Sequence, residues 1–385
     1  MTTSSARPLF SIPRDVCYLN AAYMGPHPKV VTEACEAGLR RRATPWQIST
    51  ADFFDDVELL RSLFASLLGA KADNIAIVPA ASYGIACAAK NISVQPKQKI
   101  LLLADQFPAN YYAWLRLADD NGAELCVVDT PADLDWTAAV MECIATHKDD
   151  IAVAALPNHH WSNGAPLDLN VICDALHGIG ARIALDVSQT LGACPFDLEA
   201  TRPDFLVSAG YKWLFCPYGI SFLYVSDEHF DGVPIEEAWA NRTGSEDFAR
   251  LVDYSDDYQH GARRFDVGER AKFETVPGAI AAIRQVLEWG VSHIATELNT
   301  RNEALAELLG EYGFSVPLPE RRGPHFQGLR IPDEVQESLV GEFAARKIFA
   351  SQRGSSLRIA PHLYNDDEDM QTLRAALDHL YGRAA

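Results

Sequence analysis

The chain has no apolar stretch near the roughly 18 to 20 residues needed to span a bilayer, so its 385 residues are expected to form a soluble protein without a membrane segment. Its start, MTTSSARPLFSIPRDVCYLN, lacks a basic region followed by an apolar one; no secretory signal is expected, and a cytoplasmic location is. The eight cysteines contain no C-x-x-C pair. They read as small buried apolar residues in reducing surroundings, with no structural metal. Positive charge is scarce as well: 33 Lys and Arg stand against 52 Asp and Glu, a formal charge of -19. That balance excludes a nucleic-acid or anionic-membrane surface, because phosphate binding on that scale needs clustered cations. Neither G-x-x-x-x-G-K-[ST] nor a G-x-G-x-x-G between strand and helix occurs, and Gly178-Ile179-Gly180 precedes a strand instead, so nucleotide-binding folds are disfavoured.

What is present is ordinary globular material, 48% hydrophobic and 22% charged, in a chain longer than one core sustains. Between about residues 75 and 226, runs such as Ile75-Ala76-Ile77-Val78, Ile100-Leu101-Leu102-Leu103, Ile151-Ala152-Val153-Ala154 and Ile183-Ala184-Leu185 alternate with helical patterns. The alternation predicts an α/β fold, a mostly parallel sheet between helices, with ligands outside the carboxyl ends of its strands. After residue 226 a polar, aromatic stretch leads to a long helical pattern from Val276, two short strands around Leu329 and Leu357, and a terminal helix. These predict a smaller α/β domain joined by the N-terminal segment.

Two residues draw attention together. Asp186 ends the strand Arg182 to Leu185, and Lys212 follows 26 residues later between the apolar runs Phe205-Leu206-Val207 and Ile220-Ser221-Phe222-Leu223. Alone, Asp186 reads as a turn or capping residue and Lys212 as a rim lysine. Together they are what a pyridoxal phosphate site requires: a desolvated amine to form a Schiff base, and a carboxylate to keep the pyridine nitrogen protonated. Val78-Pro79-Ala80-Ala81-Ser82-Tyr83-Gly84 runs from a strand into a helix N-terminus, where free N–H groups favour a phosphate; the plain alternative is that Ser82 caps the helix, which is compatible with phosphate binding. Phe107, after the Leu101 to Leu103 strand, is placed to stack on a planar ring or to pack in the core. Pro157-Asn158-His159-His160-Trp161-Ser162-Asn163-Gly164 gathers polar and aromatic groups after another strand; its adjacent histidines point apart, so metal is not expected.

These segments resemble the class V aminotransferase group of fold type I pyridoxal phosphate enzymes, which includes cysteine desulfurases, kynureninases and isopenicillin N epimerase-like proteins. The resemblance runs from Tyr18-Leu19-Asn20-Ala21-Ala22-Tyr23-Met24-Gly25-Pro26 through D-V-S-Q and S-A-G-Y-K-W-L-F-C-P-Y-G to Leu357-Arg358-Ile359-Ala360-Pro361-His362. It implies a large domain with a mostly parallel, seven-stranded type of sheet and a smaller C-terminal one: residues 1–30 packing on the small domain and the site, 31–275 binding the cofactor, 276–385 forming the small domain. It implies pyridoxal 5'-phosphate on Lys212, Asp186 at the ring nitrogen, Gln189 near the phenolic oxygen, and Ala81, Ser82 and Tyr211 at the phosphate. By the same resemblance Phe107 stacks on the ring with Asn110 beside it, and Arg358 takes a substrate carboxylate. Asn20, His160 and Trp239 are further substrate-side candidates, and a homodimer with sites at the interface is the implied assembly.

Two departures from the family pattern matter. The loop Phe349-Ala350-Ser351-Gln352-Arg353-Gly354-Ser355-Ser356 has no cysteine, which argues against persulfide chemistry. Arg264-Phe265-Asp266-Val267-Gly268-Glu269 ends in glutamate where the family has a phosphate-binding threonine, leaving Thr275 as a substitute. The expected activity is therefore a pyridoxal-phosphate-dependent aminotransferase acting on a small amino acid, with a C–S or C–C β-lyase or an epimerase as alternatives. A remote alternative is a serine hydrolase built on Ser82, Asp186 and His362; a cofactor-free binding protein leaves Lys212 and Asp186 unexplained.

Overall fold

The computed structural model describes residues 5–383; the first four residues of the expected N-terminal segment and the last two of the chain lie outside the described residues. Its strands, in chain order, are β1 (Cys17–Tyr18), β2 (Ile75–Val78), β3 (Lys99–Leu103), β4 (Glu124–Val128), β5 (Ile151–Pro157), β6 (Arg182–Asp186), β7 (Phe205–Ala209), β8 (Ser221–Val225), β9 (Gln327–Arg330), β10 (Ile348–Phe349), β11 (Ser351–Arg353) and β12 (Ser356–Ile359). Seven form one sheet in the order β2-β8-β7-β6-β5-β3-β4. All pairings within β3 to β7 are parallel, and β8 runs against both of its neighbours, β2 and β7. The mostly parallel sheet between helices is thus present.

Alternation along each strand divides the sheet into two apolar faces. Ile77, Leu101, Ile183, Leu185, Leu206 and Phe222 point to one side, where Leu60, Phe64, Trp136, Ile172 and Ile283 of covering helices meet them. Val78, Leu102, Ala184, Val207 and Leu223 point to the other, against Ile85, Ala88 and Trp114. Both faces are covered, which is why these strands read as continuous apolar runs rather than alternating ones. The segments after β3, β5, β6 and β7 leave the sheet at its carboxyl edge, and the helix Ala81–Asn91 begins beside them. Its Gly84 lies so close to β7 that an added Cβ would sit 2.5 Å from Val207 Cγ1.

A third cluster joins Leu305, Leu309, Leu329, Leu357, Ile359, Leu373 and Leu377 to Cys17 and Leu19. The N-terminal segment enters it through parallel pairing of β1 with β10. The helix Val276–Trp289, expected in the small unit, does not pack there. Val276, Ala279, Ile283 and Val286 lie in the large cluster, and the next helix, Val291–Gly310, crosses between the two, with Ile294 and Leu298 in the first and Leu305 and Leu309 in the second. Its apolar face is continuous, so periodicity alone does not mark where one core ends. Three cysteines also depart from the expectation of buried residues: Cys35, Cys126 and Cys143 are half-buried, the last two with sulfurs 3.1 Å apart.

Asp266, in the segment that departs from the family pattern, anchors this frame. Its carboxylate meets Arg61 Nη2 at 2.7 Å and Arg270 Nε at 3.2 Å and accepts from Ile77 N at 2.7 Å, with all three side chains buried. Asp266→Asn leaves two buried guanidiniums without that counter-charge. A loss of about 3 to 5 kcal/mol is expected, read as an earlier unfolding transition in urea; an unchanged transition would show that Glu58 and water compensate.

Candidate active site

Asp186 is the last residue of β6, buried against the start of the following loop. Its Oδ1 accepts from Ser188 N at 3.0 Å, and Ser188 Oγ accepts from Ala209 N at 2.9 Å, tying the loop to the end of β7. Lys212 lies three residues beyond β7. It is 7% exposed, and its amine makes no hydrogen bond or ion pair among the described residues. Burial, helped by the positive charges of Arg358 and Arg353 and opposed by Asp186, pulls its pKa down from 10.5 to about 8. About a tenth of the amine is therefore neutral at pH 7, a few hundred times the share in an exposed lysine.

The backbone beneath Lys212 is held from the N-terminal side. Gly25 N donates to Tyr211 O at 2.9 Å, and a Cβ at Gly25 would fall 2.2 Å from Lys212 O. Only glycine fits this approach. Gln189 completes the clamp: its Nε2 donates to Ala22 O at 3.0 Å and its Oε1 accepts from Trp213 Nε1 at 2.9 Å. Gln189 was expected beside a cofactor oxygen. With its oxygen and one N–H bound to protein, it has one N–H left to offer.

The phosphate side is more open. Ala80 precedes the helix Ala81–Asn91 without a side-chain cap, and Ser82 is exposed and makes no hydrogen bond, so the reading of Ser82 as a simple cap fails. The first-turn N–H groups of Ala81 and Ser82 have no intrahelical acceptors. Thr275 Oγ1 is buried and has no hydrogen-bond partner. On the ring side, Lys212 Nζ is 5.4 Å from the Phe107 centroid and 5.8 Å from that of Tyr211.

Arg358, in β12, faces the same space and is 2% exposed. Its Nη1 donates to Trp161 O at 3.0 Å, its Nε has no partner, and no carboxylate pairs with it among the described residues. Burial and the Arg353 charge lower its pKa to about 10, so it remains a cation at pH 7. A buried guanidinium without an acid is an anion site in waiting. Asn20 lies next to this wall: Ser351 Oγ donates to its Oδ1 at 2.7 Å, and it bridges to Ala360.

Other candidates are placed elsewhere. His160 is not free for a substrate: its Nε2 meets Ala104 O at 3.1 Å, its Nδ1 meets Ser162 Oγ at 3.0 Å, and its ring stacks on Trp136 at 4.9 Å. Asn110 is fully buried; its Oδ1 accepts from Trp114 Nε1 at 2.9 Å, which supports the Phe107 segment, while its Nδ2 is buried without a hydrogen-bond partner. Trp239 sits in a half-exposed aromatic group with Phe53, Phe54 and Phe248 and is not brought to Lys212 within one chain. The serine-hydrolase arrangement is not formed. His362 is packed among Phe215, Trp213 and Trp289, its ring nitrogens make no hydrogen bond, and burial lowers its pKa to about 3.

Sequence reasoning missed Trp161 and Arg353. The Trp161 ring meets Phe107 edge-on at 5.5 Å, its Nε1 donates to Asp105 O at 2.6 Å, and the Arg353 guanidinium lies 5.7 Å from its centroid. The signal was the aromatic next to His160: adjacent residues point apart, so choosing one of the pair excluded the other. Behind the site, His159, Cys194 and His325 gather within 4.8 Å and are capable of holding a metal. Their polar atoms meet one another, Thr190 and the Gln189 carbonyl: His159 Nδ1 to Thr190 Oγ1 and Cys194 Sγ to His325 Nδ1, both at 3.1 Å, and His325 Nε2 to Gln189 O.

The family model for aminotransferase class-V matches residues 18–376. An uncharacterized aminotransferase of Bacillus subtilis (strain 168), YcbU, is 28% identical over 342 residues, covering 88% of this chain and 86% of that one. A kynureninase of Shouchella clausii (strain KSM-K16) is 25% identical over 338 residues, covering 83% and 77%. Among solved structures, an apo cysteine desulfurase of Thermococcus onnurineus NA1 superposes with a TM-score of 0.82 at 17% identity, covering 99% of each chain, a likeness of fold.

Proposed function

Because the chain belongs to the class-V aminotransferase family, a family of pyridoxal phosphate enzymes, we propose that it is an aminotransferase that acts on an amino acid through Lys212. The observation that carries this reading is the buried, unpaired amine of Lys212 beside Asp186, with the acid-free guanidinium of Arg358 across the same space. Pyridoxal 5'-phosphate is the cofactor; when bound, it supplies an aldehyde for the amine and a ring that stores the electrons released at the substrate Cα.

The residues present fit that group. The first-turn N–H groups at Ala81 and Ser82 suit a phosphate; Thr275 Oγ1, buried without a partner, is the candidate donor to the phosphate of a neighbouring subunit. Asp186 keeps Oδ2 free of hydrogen bonds, suiting a protonated ring nitrogen. Phe107 and Tyr211 flank the amine and offer faces for a planar ring. Arg358 binds and orients the substrate carboxylate with its fork. Lys212 Nζ, neutral for part of the time near pH 7, takes the proton from Cα and, for transamination, delivers it to the cofactor's aldehyde carbon rather than back to Cα. Gly25 and Gln189 hold the Lys212 segment in place, while Trp213 and the N-terminal segment close it off from water.

Transamination is preferred over cysteine desulfuration because none of the eight cysteines lies in residues 349–356, the hairpin beside Arg358. A homodimer is part of the proposal, with the exposed aromatics around Trp239 at the contact between subunits. The protein purified with pyridoxal phosphate is expected to be yellow, and borohydride to fix a pyridoxyl group on Lys212, located by peptide mapping. A colourless protein, or a label on another lysine, would overturn the assignment. Product analysis with amino-acid donors separates the reactions: keto acid alone means transamination, pyruvate with ammonia means β-elimination, and an inverted amino acid means epimerisation.

A further inference from the structure

The site carries one more positive charge than an ordinary amino acid needs. β11 and β12 form a hairpin in which Ser351 is paired with Arg358 and Arg353 with Ser356, and Gly354, at φ +56°, makes the turn. Side chains alternate along strands, so Ser351, Arg353 and Arg358 share one face while Leu357 and Ile359 point into the third core cluster. The shared face is turned to Lys212. Arg358 reaches the Trp161 carbonyl, the Arg353 guanidinium lies over the Trp161 ring, Trp161 meets Phe107, and Phe107 flanks the amine.

Neither arginine has a carboxylate partner among the described residues. Among the described residues the only side-chain hydrogen bond that Arg353 makes is from Nη1 to Gln352 O at 2.8 Å. In a chain with 52 acidic and 33 basic residues, two neighbouring cations without an acid are unusual. Asp186 is the acid felt at Lys212, and it lies at the ring-nitrogen end. One guanidinium is accounted for by the α-carboxylate of a substrate. The second remains, half-buried, on the same wall.

We propose that the substrate side chain carries its own acid, as in an amino acid of the aspartate or glutamate type, with the α-carboxylate at Arg358 and the distal acid at Arg353. The proposal rests on the amino-acid reading given above. Arg353 is then a specificity residue, since a neutral side chain leaves its charge unanswered. A charge-assisted hydrogen bond of this kind corresponds to about 10- to 100-fold in affinity.

The test uses the cofactor-loaded protein and two unreactive probes, succinate with two carboxylates and propionate with one, titrated by calorimetry or by tryptophan fluorescence. Wild type is expected to bind succinate at least 10-fold more tightly than propionate. Arg353→Gln removes that difference and leaves propionate within about twofold, and Arg353→Lys restores part of it. Among donors, the kcat/KM ratio of glutamate or aspartate to norvaline falls by a similar factor in Arg353→Gln. Equal binding of the two probes by wild type overturns the proposal. So does an equal loss of both in the variant, or a loss of cofactor affinity with the discrimination intact. Failure of the parent reading looks different: Lys212 then escapes the borohydride label, whichever probe binds.

Discussion

Lys212→Met is expected to abolish the borohydride-fixed label and lower turnover at least about 10³-fold, yet leave the cofactor-free protein no less stable than wild type. The two halves have one cause. Burial lowers the amine's pKa from 10.5 to about 8, so the unfolded chain holds this proton more tightly than the folded one. At pH 7 that difference costs folding about 3 kcal/mol. The cost is fully present below pH 8 and fades as pH rises towards 10.5, the direction opposite to a stabilising ion pair. Methionine keeps most of the volume and removes the desolvated charge. Thermal unfolding of the cofactor-free proteins at pH 7 and pH 10 is the check: the variant equals or exceeds wild type at pH 7, and its advantage shrinks at pH 10. A variant that melts well below wild type at pH 7 would mean that the lysine's stem packing outweighs its buried charge.

Arg358→Gln is expected to raise KM for the amino-acid donor about 10- to 150-fold, the worth of a charge-assisted fork of about 1.5 to 3 kcal/mol. It also has an effect that loss of a contact alone does not produce. The Arg358 cation is one of two positive charges that lower the Lys212 pKa. Removing a like charge favours the protonated amine, so the midpoint for labelling Lys212 with pyridoxal phosphate and borohydride moves above about 8 and labelling at pH 7.5 slows. Arg358→Lys keeps the charge without the fork: its midpoint stays near that of wild type while its KM rises. An Arg358→Gln midpoint at or below the wild-type value would place Arg358 outside the electrostatic reach of the amine.

The sheet and its two anchors were legible without coordinates, for physical reasons. Strands buried on both faces must be apolar throughout, so β3, β5, β6 and β7 appear as runs of Leu, Ile, Val and Ala, and a polar residue just past such a run sits at the carboxyl edge. Asp186 and Lys212 are placed by that rule, and a charge between two core strands is costly enough to be conspicuous. Ser82 at a helix start and Phe107 after β3 follow from the same geometry.

The rest depended on directions and contacts that no period encodes. In the loop after β5 the backbone leaves regular structure, so nothing in H-H-W says which side chain faces in; the fold buries His160 against Trp136 and turns Trp161 to Phe107 and the arginines. The clamp that Gln189 makes on the Ala22 carbonyl and the Trp213 indole was not legible, because it depends on the N-terminal segment, far away in sequence. The helix Val276–Trp289 has an amphipathic pattern that suits either core, and packing against the large sheet settled which one it joins. Arg353 joins Arg358 only through the register of a hairpin five residues across, where a slip of one residue would turn the side chain to the opposite face. Local rules thus located the chemistry of the amine, whereas the wall that selects the substrate exists only because distant segments, each with several allowed orientations, fix one another on contact.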